Sequence, residues 1–286
     1  HMAMLSSLNN DALAELLLAA ILYGLVVIGQ AEHWRRRDML ILGILLGLGY
    51  LTKGSVYPIS AVVLLVLAWR FWGQWRQLFQ AGLWVFVPAF LLGSLWWIRN
   101  MAVYGGLDIL GKAAHDAVVV GQPRTAEWVA QYGLPETIGR FLETTFNSFW
   151  GQFGWMTVPM TNPGWLYPLL WLFSGVAVAG LAVAAYDGRR SASRYTLPLL
   201  IFVSLFLLTV GVHVGYNLTF VQHQGRYLFP ALIPIALGVA VGLGLWLRPL
   251  RKRWPRLVLA IPAGLAAALI ALDLYALFRI IVRALA

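Results

Sequence analysis

The chain has 286 residues, of which 60% are hydrophobic and only 11% are charged, and its formal net charge is +10. A soluble domain carries about 25% charged residues, so this composition predicts an integral membrane protein. The absence of cysteine excludes disulfides, thiol catalysis and thiolate metal sites. The basic residues cluster in short turns between apolar runs, where they are typical of topology signals rather than of a nucleic-acid surface.

Eight apolar runs are long enough to cross or enter a bilayer. They cover residues 12–29, 39–51, 55–71, 78–98, 164–186, 195–215, 227–247 and 257–282. The expected fold is all-α, a polytopic transmembrane helix bundle of about eight segments, with segments 1–4 in residues 3–98 and segments 5–8 in residues 164–286. The pairs Gly43/Gly47 and Gly238/Gly242 would let helices approach closely, inside the bundle or in a dimer.

The second and third apolar runs are short, and only Thr52, Lys53 and Gly54 separate them. They could form a tight hairpin or a single broken helix. We favour the hairpin, because a single broken helix would reverse the inside–outside alternation of every later turn.

The Lys and Arg residues in the turns predict orientation, because cytoplasmic turns carry an excess of them. One set of alternate turns holds thirteen: Arg35, Arg36, Arg37, Arg70, Arg76, Arg189, Arg190, Arg194, Arg248, Arg251, Lys252, Arg253 and Arg256. The other set holds six: Lys53, Arg99, Lys112, Arg124, Arg140 and Arg226. We therefore expect the second set outside a bacterial plasma membrane, together with the long polar stretch 99–163.

Within this extracytoplasmic loop, residues 135–149 have the pattern of an amphipathic helix. Pro135 suits a first helical turn, and Glu136 suits its positive end. One face holds Ile138, Phe141, Leu142, Thr145, Phe146 and Phe149, and another holds Glu136, Arg140, Glu143 and Asn147. We expect this helix to lie on the outer membrane surface. The part of the loop before it is expected to be irregular or partly helical.

Four groups of polar residues lie at the outer ends of the runs, where ionisable side chains usually face a partner or a cavity. They are Asn10 with Asp11, Lys53, Arg99 with Asn100 and Tyr104, and His223 with Arg226 and Tyr227. Each group has an ordinary interpretation as a helix N-cap, a snorkelling lysine or an interfacial anchor. The competing interpretation is an anion site, since a guanidinium holds a phosphate through two hydrogen bonds.

The anion hypothesis depends on Lys53, Arg99 and Arg226, because all three are expected outside and each lies at a span boundary. A cationic pocket there suits a lipid-linked phosphate. Seven further residues are expected to line the cavity or to contact an acceptor molecule that enters it: Asn10, Asn100, Tyr104, Trp150, Gln152, Trp155 and His223. No His, Asp and Glu residues have convincing metal-ligand spacing, so no metal ligand is assigned and metal dependence stays open.

Five motifs in a fixed order carry a family resemblance: NNDALA, GLGYLTKGSVYPIS, WWIRNMAVYGGLDILG, SFWGQFGWM and QGRYLFPAL. Together they resemble multi-pass glycosyltransferases of the GT-C superfamily. The closest likeness is to glycosyltransferase family 39, which includes protein O-mannosyltransferases and the aminoarabinose transferase of lipid A. The resemblance covers nearly the whole chain. It implies transfer of a sugar from a polyprenyl-phosphate carrier to a protein, lipid or glycan acceptor on the extracytoplasmic side.

The resemblance also implies roles for single residues. Lys53 and Arg226 would contact the carrier phosphate, with Tyr227 beside Arg226. Arg99 would frame the same cavity. The catalytic residue stays unknown, with Asp11, which could border the sugar, as its candidate. Such enzymes carry an acidic residue in their first extracytoplasmic loop, and the sequence lacks that loop. We therefore expect a C-terminal portion or truncated homologue that keeps the carrier-binding half, with catalysis in doubt.

Two other functions stay open. One is a non-catalytic membrane subunit or scaffold, working with a partner chain or with a missing N-terminal segment. The other is a transporter of lipids or small molecules, indicated only by the broken pair of helices around Lys53. A transporter of that kind would show an internal repeat, and we find none between the two halves.

Overall fold

The chain is almost entirely helical in the computed structural model, which describes residues 10–118, 121–153, 156–189 and 195–285. The long helices are α1 (Asp11–Gln30), α2 (Arg36–Thr52), α3 (Ile59–Arg70), α4 (Trp75–Tyr104), α8 (Leu166–Gly188), α9 (Thr196–Asn217), α10 (Leu232–Arg253) and α11 (Pro255–Tyr275). Between α4 and α8 lie α5 (Lys112–Val118), α6 (Thr125–Tyr132), α7 (Leu134–Gly151) and two paired strands, β1 (Gln152–Phe153) and β2 (Val158–Pro159). Two 3-10 segments (Gly54–Val56 and Gly225–Ala231), a π-helical turn (Ala276–Ile281) and α12 (Val282–Leu285) complete the described elements. This confirms an all-α polytopic bundle.

Six helices in the described part of the chain are long and apolar enough to cross a bilayer, as judged by length and composition. They are Asp11–Gln30, Trp75–Tyr104, Leu166–Gly188, Thr196–Asn217, Gly225–Arg251 and Val258–Ala284. α2 has 17 residues and α3 has 12, which corresponds to about 25 Å and 18 Å of helix. Both lengths are below the roughly 30 Å of a bilayer core. The expected count of about eight spans is therefore not confirmed, because two of the eight are short helices.

The two short helices form the hairpin that the sequence favoured. At one end of the bundle, the Asn10 Nδ2 atom donates to the Thr52 carbonyl oxygen at the end of α2 (2.7 Å). At the other end, the Arg70 Nη2 atom in the last turn of α3 donates to the Ala31 carbonyl oxygen (2.8 Å). The chain thus returns along α3 to the level at which α2 began, whereas a single broken helix would have carried it away.

Glycines allow the closest helix contacts in the bundle. A Cβ atom added to Gly43 of α2 would lie 2.3 Å from the Val85 carbonyl oxygen of α4. A Cβ atom added to Gly242 of α10 would lie 2.0 Å from the Ala177 carbonyl oxygen of α8. Both glycine pairs found in the sequence therefore pack inside one chain, which is the first of the two interpretations they allowed.

Two apolar cores hold the bundle together. The larger core is formed by five helices, α1, α2, α3, α4 and α9. Its fully buried side chains include Ile21, Leu46 and Ile201. The smaller core packs Met160 and Leu166 against Ala276, at the end of α11. Through this smaller core, the π-helical turn after α11 contacts the start of α8 and the segment before it.

The turns lie at two opposite ends of the bundle. We call the end that holds Lys53 the loop face, because the described residues between 105 and 163 lie there, and we call the other end the arginine face. The Tyr275 hydroxyl donates to the Asn162 carbonyl oxygen (2.8 Å), which places the end of α11 at the loop face. Arg279 and Arg283 follow that end, so they join the six basic residues that the sequence assigned to this side.

The described residues of this stretch, 105–118, 121–153 and 156–163, form a covering segment that packs on the bundle. The aromatic face of α7 lies on the 3-10 segment Gly225–Ala231, where the Phe149 and Phe229 rings are 5.7 Å apart. The Thr125 Oγ1 atom of α6 donates to the Asn217 carbonyl oxygen at the end of α9 (2.8 Å). α7 therefore matches the predicted helix 135–149 to within two residues. The Phe141, Phe146 and Phe149 rings of its apolar face contact other aromatic rings of the protein, whereas Ile138 and Leu142 are exposed.

Candidate functional site

A charged cleft lies at the loop face, where the start of α1 meets the turn after α2. Lys53 is the first residue beyond α2, and its ammonium forms an ion pair with the Asp11 carboxylate. Asp11 occupies the first turn of α1, where the helix dipole favours a negative charge. Asn10 makes no side-chain cap bond to α1; its amide bonds to Thr52 instead. The expected N-cap is thus replaced by a link between two helices.

The opposite wall of the cleft comes from the 3-10 segment Gly225–Ala231, which presents Arg226 and Tyr227. Gly225 lets this segment lie directly against α7, because a Cβ atom there would be 2.2 Å from the Thr145 carbonyl oxygen. The Arg226 guanidinium carbon lies 5.5 Å from the centre of the Tyr227 ring. Residues that are far apart in sequence are therefore joined by helix packing into one site.

The cleft contains charges of both signs in a very small volume. Its lining consists of Asp11, Ala14, Glu15, Leu18, Lys53, Ser55, Arg226, Tyr227, Phe229 and Pro230. The volume is about 20 Å³, which is enough for roughly one water molecule. A phosphate group would therefore need the side chains of the cleft to move apart.

The two cations of the cleft repel each other. Burial lowers the pKa of the Lys53 ammonium, and the positive charge of Arg226 lowers it further. Both effects disfavour the protonated lysine, while the Asp11 carboxylate opposes them through the ion pair. An anion between Lys53 and Arg226 would relieve the repulsion between the two cations.

Glu15 is a site residue that the sequence interpretation missed. It lines the same cleft as Asp11, since residues four apart lie on the same face of a helix. The spacing of these two carboxylates was readable in the sequence, but only the position of α1 beside Lys53 shows that they face the cleft. No other carboxylate lines the cleft in the described part of the chain.

Arg99, Asn100 and Tyr104 lie apart from this cleft, although they were expected to frame it. The Arg99 guanidinium carbon is 4.9 Å from the Trp96 ring centre and 5.9 Å from that of Tyr104. Trp97, two positions earlier, instead donates from Nε1 to the Tyr57 hydroxyl beside the α2–α3 turn (2.8 Å). Two residues correspond to a rotation of about 200° on a helix, so Arg99 points away from that turn.

His223 and Tyr227 connect the covering segment to the cleft. The Tyr227 hydroxyl accepts a hydrogen bond from Gln222 Nε2 (3.1 Å), and its ring lies 6.1 Å from that of His213. His223 is buried between the rings of Trp128 and Phe141. Burial lowers its pKa, so the imidazole is neutral at pH 7. His223 thus supports the covering segment and does not line the cleft.

The other predicted lining residues also pack elsewhere. The Trp150 ring contacts Phe146 and Phe173 beside the smaller core. The Gln152 Nε2 atom donates to the carbonyl oxygen of Met156, which lies between β1 and β2 (2.7 Å). Trp155 lies outside the described residues. Neither Trp150 nor Gln152 faces the charged cleft, because hydrogen bonds and ring contacts hold both within the covering segment and the start of α8.

A larger groove, of about 490 Å³, lies between α8 and α11. Its lining is apolar apart from Tyr275: Pro163, Trp165, Leu166, Leu169, Leu170, Phe173, Leu265, Ala268, Leu269, Leu272 and Tyr275. It offers no charged group for chemistry, so the smaller charged cleft remains the candidate site. Among the described residues, no three His, Asp or Glu side chains could hold a metal ion together.

The helix bundle and the charged cleft at one end of it define a polytopic α-helical integral membrane protein. The chain belongs to the DUF2142 family of predicted membrane proteins, whose model matches residues 1–235. The match extends over α1 to α9 and the 3-10 segment Gly225–Ala231, and so includes both walls of the cleft. Comparisons with curated proteins and with solved structures found no match.

Proposed function

We propose that the cleft binds the phosphate of a polyprenyl-phosphate-linked sugar, and that the chain is the carrier-binding part of a glycosyltransferase. The observation that carries this proposal is the convergence of Lys53 and Arg226 on one cleft at the loop face. The resemblance to GT-C enzymes of family 39 supports it, because the same two residues lie in the motifs expected to hold the carrier phosphate.

The cleft contains side chains suited to sugar transfer. In such a reaction an acceptor hydroxyl attacks the anomeric carbon, the bond from that carbon to the phosphate oxygen breaks, and the negative charge remains on the phosphate. Lys53 would stabilise this charge as a compact cation, and Arg226 through paired N–H donors. The hydroxyl proton needs a base within hydrogen-bonding reach. Asp11 and Glu15 are the carboxylates placed to take it.

The orientation of the protein belongs to the same proposal. The thirteen Lys and Arg residues assigned to the arginine face exceed the eight at the loop face once Arg279 and Arg283 are included. This excess favours a cytoplasmic arginine face in a bacterial plasma membrane. The covering segment would then lie outside, above the carrier, and would shape the entry of the acceptor.

A non-catalytic subunit is the second candidate. The ion pair between Lys53 and Asp11 and the small volume of the cleft favour it, because a closed and neutralised cleft needs no substrate to be stable. This alternative predicts either no carrier binding or binding without transfer.

Radiolabelled polyprenyl-phosphate sugars offered to the purified protein test the proposal. We expect carrier binding that is weakened about tenfold or more in Lys53→Ala and in Arg226→Ala. Arg99→Ala is the matched control, since Arg99 also lies at a helix end on the loop face but outside the cleft, and it should bind normally. Undiminished binding in both cleft variants would refute the phosphate site. Binding by the wild-type protein without transfer to any acceptor would support the non-catalytic subunit.

A further inference from the structure

The turn between α4 and α5, residues 105–111, exposes large apolar side chains. Leu107 is 88% exposed, Leu110 57% and Ile109 40%. Exposed apolar side chains that lie together usually mark a surface that contacts a membrane or another molecule. This turn is outside the charged cleft, so the cleft does not explain it.

The length of α4 sets the level of this turn relative to a bilayer. Trp75 and Trp96 are separated by 21 positions on the helix, or about 32 Å, which matches a bilayer core of about 30 Å. Tryptophan is enriched at both membrane interfaces. Trp96 and the neighbouring Arg99 therefore mark the interface at the loop face.

The turn folds back to this interface. Gly105 and Gly106 have φ angles of 77° and 63°, which reverse the chain at the end of α4. The buried Asn100 then donates from Nδ2 to the Ile109 carbonyl oxygen (2.9 Å). Ile109 is thus held at the level of Asn100, one residue beyond Arg99.

The Asp108 carboxylate of the turn is bonded to the neighbouring helix. It accepts a hydrogen bond from the backbone N–H of Ala114 in α5 (2.8 Å). Leu107 and Leu110 stay exposed on either side of Asp108. Near the same end of α4, Leu95 (62%) and Ile98 (59%) are exposed as well.

We propose that residues 105–111 are a membrane-docking tip, with Leu107 and Leu110 inserted into the interfacial region of the bilayer beside α4. The occupant of this apolar surface is lipid, because Ile109 is held at the level of Trp96 and Arg99, which mark the membrane interface. Docking would hold the start of the covering segment at the bilayer, independently of what the charged cleft binds.

The absence of cysteine allows a direct test with single-cysteine variants. Leu107→Cys and Leu110→Cys are labelled with an environment-sensitive dye and reconstituted into vesicles that contain a lipid spin-labelled near the head group. Leu95→Cys, on the membrane part of α4, is the positive control. Glu143→Cys, exposed on the charged face of α7, is the aqueous control. Size-exclusion chromatography checks that each variant is folded.

We expect the dyes at positions 107 and 110 to be quenched several-fold more than the dye at position 143, and to approach the value at position 95. Quenching no stronger than at position 143 would overturn the proposal. A blue-shifted emission without lipid quenching would also overturn it, because it would indicate that the tip is covered by a second copy of the chain or by another part of the protein.

Discussion

Single residues of the charged cleft depend on how neighbouring helices pack. The packing of α1 against α2 brings the Asp11 carboxylate to the Lys53 ammonium. The packing of α7 against the 3-10 segment Gly225–Ala231 holds Arg226 and Tyr227 on the opposite wall.

A substitution at Gly225 tests the contact between α7 of the covering segment and the 3-10 segment that forms one wall of the cleft. Gly225→Ala places a Cβ atom 2.2 Å from the Thr145 carbonyl oxygen and 2.3 Å from the Phe149 nitrogen. These are backbone atoms of α7, so the helix must move away from the 3-10 segment. We expect a destabilisation of about 1–3 kcal/mol, the usual cost of overpacking, measured as a lower thermal unfolding temperature in detergent.

Gly139→Ala is the control for this experiment, because Gly139 lies in the same helix and a Cβ atom there meets no atom within 4 Å. Its unfolding temperature should be unchanged or slightly raised, since alanine favours helix by about 1 kcal/mol. Equal unfolding temperatures for the two variants would contradict the close contact between α7 and the 3-10 segment.

The sequence showed Lys53, Arg226 and Asp11 as polar groups at span boundaries. It did not show that Lys53 pairs with Asp11, because this pairing depends on how α1 packs against α2. Arg99 has the same sequence character as Lys53, yet it contacts Trp96 and Tyr104 away from the cleft.

At the level of elements, the positions of the apolar helices could be predicted, because their length and hydropathy reflect the bilayer itself. The amphipathic helix at 135–149 was also predictable from its period, and α7 covers it. The sequence did not predict whether the aromatic face of α7 contacts lipid or protein. A lipid surface and the protein surface formed by the Gly225–Ala231 segment both accept apolar side chains, and only the fold shows that the protein surface is used.

The pair α8 and α10 offers the clearest test of helix packing. A Cβ atom at Gly242 would lie 2.0 Å from the Ala177 carbonyl oxygen, whereas a Cβ atom at Gly244, in the same helix, meets no atom within 4 Å. We expect Gly242→Ala to lower the free energy of unfolding by about 1–3 kcal/mol. Gly244→Ala should have little effect or a small stabilising one. Identical denaturation curves would mean that α8 and α10 do not pack at Gly242.

For the molecule as a whole, the alternation of basic turns predicted which turns lie together, and the contacts at the loop face agree. Asn10 bonds to the end of α2, and Tyr275 bonds to Asn162. The sequence interpretation did not assign Arg279 and Arg283 to either face. Arg279 lies within the last apolar run, 257–282, and Arg283 directly follows it. The same excess of charge at the arginine face supports the proposed extracytoplasmic position of the cleft.

The proposed phosphate site is tested most directly by two affinities of the protein. One is the affinity for polyprenyl phosphate, and the other is the affinity for the uncharged polyprenol. Arg226→Ala should weaken binding of polyprenyl phosphate about tenfold or more, because a hydrogen bond to a charged group contributes about 1.5–3 kcal/mol. The affinity for polyprenol should not change. An equal loss of affinity for both lipids, or no loss for either, would contradict a phosphate site at Arg226.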